Sequence, residues 1–129
     1  MKIIIKIRNL FRNIKFCHQR IKWVWCEQDA WNMDVWFLNV APQMLRYLRK
    51  TSHGCPCDMT MKQWKKTLYT MEFLLREADE DMCSMKNEYD VIKQPKQYLK
   101  RMLEIARYRE DCKDEAFDMI KKYFYHLWN

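Results

Sequence analysis

Ile3, Ile7, Leu10, Ile14, Cys17 and Ile21 recur at intervals of three and four residues, with Arg8, Arg12, Lys15 and Gln19 on the opposite side. That is the periodicity of an amphipathic helix over residues 3–21. Ile5 and Phe16 interrupt its polar side, so a short strand over residues 3–7 stands as the alternative. Further on, Trp31, Val35, Trp36, Phe37, Leu38, Val40, Met44, Leu45, Tyr47 and Leu48 nearly encircle a second helix, capped by Asp29 and running to about Lys50. A helix apolar almost all round is expected to be the central, most buried one. Pro42 would kink it or open a new helix after Ala41, because proline lacks the N–H and clashes with the preceding turn.

The segment Thr51 to Met59 gathers the only glycine, a proline and two cysteines, and breaks the pattern. Within it His53, Gly54, Cys55 and Pro56 read as a structural corner, Gly54 supplying a positive φ and Pro56 a fixed one. Thr60 and Gln63 have capping-box spacing, so a third helix starts there with Trp64, Leu68, Met71, Leu75, Ala78 and Met82 as its inner stripe. Phe73 and Leu74 lie off that stripe and would meet a second neighbour. Gln94 and Pro95 open a last helical segment reaching almost to Asn129. Arg109 and Lys113 fall on its apolar face, which predicts a break or kink near residues 109–114.

These elements predict an all-α fold, a small single-domain helical bundle with a basic amphipathic N-terminal helix. One Gly and three Pro in 129 residues leave little for β-hairpin turns and exclude glycine-rich phosphate loops. The apolar content of 49% supplies a core for one domain. No run of apolar residues is long enough to span a bilayer, and no signal-peptide segment is evident, so reduced thiols in a cytosol are expected of the six cysteines.

Charge divides the chain unevenly. Lys2, Lys6, Arg8, Arg12, Lys15, Arg20 and Lys22 lie in residues 1–22 with no acid among them, while residues 23–129 form a neutral body with 17 basic and 17 acidic side chains. The seven bases are therefore the candidate contact with nucleic acid or another polyanionic surface such as an acidic protein. The apolar stripe is expected to dock on the body, leaving the basic side free, and the helix to be dispensable for folding. A membrane surface is a further candidate partner, with Ile3, Ile7, Leu10, Phe11 and Ile14 entering the lipid interface.

Other constellations carry less chemistry. His53, Cys55 and Cys57 with Cys83 or Cys112 could supply zinc ligands, but no Cys-x-x-Cys pair is present, and no metal or cofactor is expected. Asp111, Asp114, Glu115 and Asp118 share a helix face that reads as solvated. No nucleophile stands beside a base, so no enzymatic activity is expected. Trp23, Trp25, Trp31 and Trp36 could stack bases, although at this density aromatics ordinarily form a core.

Asp29 to Trp31 with Asp34, then Pro42, Leu45 and Leu48, then Ser52-His53-Gly54-Cys55-Pro56, then Trp64, Leu68 and Met71 make up a pattern over residues 27 to about 78. In these positions the chain resembles a group of small uncharacterised helical proteins encoded by tailed bacteriophages and prophages of gut bacteria. The resemblance implies a viral origin, a compact helical fold and a location in the host cytoplasm or the virion. It implies no activity. A virion-associated or accessory binding role follows, with inhibition of a host enzyme or defence complex by occlusion as an alternative.

Overall fold

The computed structural model describes residues 2–128, with the side chain of Lys2 outside the described set. The protein is all-α. Its helices are α1 (Lys2–Trp23), α2 (Glu27–Trp31), α3 (Met33–Thr51), α4 (Met61–Ala78) and α5 (Pro95–Tyr123), followed by a 3₁₀ turn, Phe124–His126, and no strand occurs among the described residues. The chain divides into two compact units, residues 1–37 and 38–129.

In the first unit, α1 runs without Gly or Pro to Trp23, and Arg20 and Lys22 in its last turn suit the negative end of the helix dipole. Val24 then adopts φ 70°, its N–H donating to the Arg20 carbonyl at 2.9 Å. This is a left-handed helix stop, a conformation that glycine normally supplies. The helix expected from Asp29 to Lys50 is two helices, parted at Asn32. Asp29 is not the cap. It sits in the first turn of α2, where its carboxylate accepts the Cys26 N–H at 2.8 Å.

The core of the second unit forms around α4. Leu68, Met71 and Leu75 are fully buried, and Trp64 meets Tyr123 of α5 edge-on at 5.5 Å. Cys112 and Ala116 complete the α5 side, while α3 contributes Pro42 and Leu45. The expectation that the second apolar run is the most buried helix is therefore overturned: Met44 and Tyr47 are exposed, and α4 takes the central place. Pro42 starts no new helix, because α3 continues through it.

The expected break near residues 109–114 is also absent, and α5 is continuous. Arg109 belongs on the inner face because its Nε donates to the Ala78 carbonyl at the end of α4, 3.0 Å away. Lys113 is held by Glu110 and Asp114. Thr60 caps α4 as its sequence proposes, accepting from Gln63 N at 3.2 Å while Gln63 Oε1 accepts from Thr60 N at 2.8 Å. The long connection between α4 and α5 is fastened by buried Glu77, which accepts from Ser84 N–H, Ser84 Oγ at 2.6 Å and Tyr108 OH at 2.9 Å.

Candidate functional site

The first helix docks on its neighbour by the side opposite to the expected one. Phe16, the residue that broke the polar pattern, is buried and meets the Trp31 ring edge-on at 5.8 Å. Gln19 is buried beside it and forms a reciprocal pair with Glu27, its Nε2 donating to Glu27 Oε1 and its Oε1 accepting the Glu27 N–H, each at 3.0 Å. Lys15 lies 2.9 Å from the Glu27 carboxylate. Arg20 grips Asp29 through two nitrogens, at 2.7 and 3.2 Å. The Arg20 guanidinium holds the Asp29 carboxyl at about 2, well below its ordinary 3.8.

The acids of α2 explain the inversion. Glu27 and Asp29 attract Lys15 and Arg20, which lie on the basic side of α1, and the aliphatic stripe is turned outward. Ile3, Ile7, Leu10, Ile14 and Ile21 are all exposed, Ile21 to 86%, and so are Ile4 and Phe11. Arg8 follows Ile4 by four residues and Lys6 precedes Leu10 by four, so helical geometry sets a cation at each edge of the apolar face. Lys6, Arg8 and Arg12 are exposed, and Lys22 Nζ stands 5.1 Å from the Trp23 ring centroid. The seventh base, Lys2, falls outside the described side chains.

Further exposed aromatic rings lie elsewhere in the first unit. Trp23 and Trp25 stack with ring centroids 6.2 Å apart, and both are about half exposed, as is Trp31 to a greater degree. None of the four tryptophans expected to form a core is buried: Trp23, Trp25 and Trp31 are exposed and Trp36 is half-buried, while the buried tryptophan is Trp64 of α4. Trp25, Asp29, Ala30, Met33 and Trp36 line a pocket of about 300 Å³ within the first unit.

The Ser52–Thr60 corner is ordered around Pro56 and Ser52, which are buried while His53, Gly54, Cys55 and Cys57 are exposed. Gly54 does not supply a positive φ, and a Cβ there would meet nothing within 4 Å. Its turn is made instead by Ser52 Oγ, which donates to the Gly54 carbonyl at 2.9 Å. Among the described residues no group of three or more His, Cys, Asp or Glu side chains is placed to hold a metal ion. Sequence reasoning missed the buried Glu72, which faces Arg49 at 3.0 Å, Arg76 at 3.7 Å and Arg46 at 4.0 Å. The Glu72–Arg76 spacing was its one visible signal.

No helix among the described residues is long and apolar enough to cross a membrane. Comparison with protein-family models, curated proteins and solved structures finds no match to this chain.

Proposed function

We propose that this is a non-catalytic peripheral membrane-binding protein whose first helix lies in the interface of an anionic bilayer. The observation that carries the reading is the outward apolar face of α1, bordered on both edges by Lys and Arg. A helix of this kind sinks its aliphatic side chains to the level of the acyl boundary while its cations meet the headgroups. Half-burial of Ile3, Ile4, Ile7, Leu10, Phe11 and Ile14 is worth on the order of 4–9 kcal/mol. Each cation near an anionic leaflet adds about 1 kcal/mol. The apolar contribution is thus of the same order as the ionic one.

Nucleic acid would engage the same bases through its phosphates and leave the aliphatic face in water. A lipid interface uses both halves of the helix. The phage or prophage origin rests on the sequence resemblance, and with it the cytoplasmic leaflet of a host bacterium as the surface and occlusion of a host enzyme as the alternative role.

Flotation of the full chain with phosphatidylcholine vesicles, with and without phosphatidylglycerol, tests the reading against a DNA duplex at matched salt. Binding to the anionic vesicles is expected, weakened but not abolished at high salt, and lost in Ile7→Glu/Leu10→Glu. Tight DNA binding that this double variant retains, with no vesicle binding by the parent, would return the basic helix to a nucleic-acid role.

A further inference from the structure

The pocket beside α1 is walled by Trp25, Ala30, Met33 and Trp36, with one acid, Asp29, at its lining. That acid is already spent. Both Asp29 oxygens are taken by Arg20, and one also accepts the Cys26 N–H, so the carboxylate neither seeks a ligand cation nor strongly repels an anion. At about 300 Å³ the cavity lies at the small end of ligand pockets, which run from roughly 300 to 1,000 Å³. Its wall offers an apolar ligand no further hydrogen-bonding side chain except the indole N–H groups.

A chain of two aromatic rings links this wall to a cation. Lys22 Nζ sits over Trp23, and Trp23 stacks on Trp25, which lines the pocket. Lys22 is exposed and carries no carboxylate partner among its described contacts, unlike Lys15 and Arg20. An apolar cavity with an ammonium that no carboxylate neutralises two rings away suits an amphiphile that has one hydrocarbon chain and an anionic head.

We infer that the Trp25–Trp36 pocket receives a single alkyl chain of an anionic lipid, with Lys22 facing the head. This deepens the membrane reading and rests on it: α1 would hold the surface, and the pocket would draw one chain out of it.

Decanoate and decanol, each kept below self-association, are the probes, and the tryptophan indole N–H signals of the full-length ¹⁵N-labelled protein are the readout. Decanoate should saturate, shifting the signals of Trp25 and Trp36 and not that of buried Trp64. It should bind several-fold tighter than decanol, and Lys22→Gln should erase that difference. Ala30 and Met33 are exposed, so Ala30→Phe, which fills the cavity, and Met33→Glu, which charges its wall, are compatible with folding. Both should weaken decanoate by about tenfold or more while leaving anionic-vesicle binding within about twofold. Unsaturable decanoate, shifts that spare Trp25 and Trp36, or unchanged affinity in both Ala30→Phe and Met33→Glu would overturn the inference. Loss of vesicle binding in Ile7→Glu/Leu10→Glu with decanoate binding intact supports the pocket, and vesicle binding by a chain that ignores decanoate refutes the pocket alone.

Discussion

Arg109 Nε donates to the Ala78 carbonyl at 3.0 Å, so a side chain in the middle of α5 closes the last turn of α4. A helix end presents carbonyls that have no partner inside the helix, and a cation placed there meets both the lone pairs and the dipole. Arg109→Met keeps the length of the side chain and removes the donor. It should lower stability by about 1.5–3 kcal/mol, the range for a hydrogen bond from a charged group. Urea unfolding followed by circular dichroism measures it, and an unchanged midpoint would mean that water replaces the guanidinium without loss.

Tyr108 supplies the second tie between the same elements through its hydroxyl on Glu77. Burial pushes the Glu77 carboxyl up, but donation from Ser84 and Tyr108 outweighs it and holds the group below its usual range. Burial, together with the Glu77 carboxylate, pushes the Tyr108 phenol upward. Tyr108→Phe and Ser84→Ala should each cost about 1–3 kcal/mol. Their double mutant should depart from additivity, because both serve one carboxylate. Additive losses would show that the two donors act independently.

Acid should loosen the first unit through Asp29. Its carboxyl ionises at about 2 when folded against 3.8 ordinarily, so the unfolded chain takes up the proton first as the pH falls. The stabilisation is complete above the ordinary value and is lost as the pH drops through the folded one. Melting temperature followed between pH 5 and about 2 should therefore fall, and Asp29→Asn should be less stable at neutral pH with a flatter profile over that window. Parallel profiles for the two proteins would remove Asp29 from the account.

Val24 stores backbone strain where α1 ends. A β-branched residue in the left-handed region costs about 1–2 kcal/mol, part of which glycine would recover after its own entropic cost. Val24→Gly should stabilise the protein by up to about 1 kcal/mol, read as a higher melting temperature. A lower one would mean that the valine side chain packs in a way that offsets its backbone.

The helices themselves were legible because periodicity, Thr60 and Pro95 are local signals. The direction in which α1 faces was not. Phe16 looked like a flaw in the polar side, yet it became the docking residue once Glu27 and Asp29 lay close enough to draw Lys15 and Arg20 inward. The same kind of distant partner explains Arg109, whose acceptor is 31 positions away in the chain. Apolar density around the second helix misled for a related reason: periodicity reports how much surface wants cover, and the cover depends on the neighbours available. The bases of the candidate site were visible, but their split into edge cations and ion-paired cations was not.

The outward face of α1 also governs how the protein behaves in a tube. Aliphatic surface on one helix of each molecule invites neighbours to stick, and the formal charge of +7 keeps them apart at low ionic strength. Raising salt shortens the Debye length to about 8 Å at 0.15 M and removes that barrier. Solubility of the lipid-free chain should accordingly decline as salt is added, and sulfate should precipitate it sooner than chloride. Lipid or mild detergent, by occupying the face, would abolish that dependence.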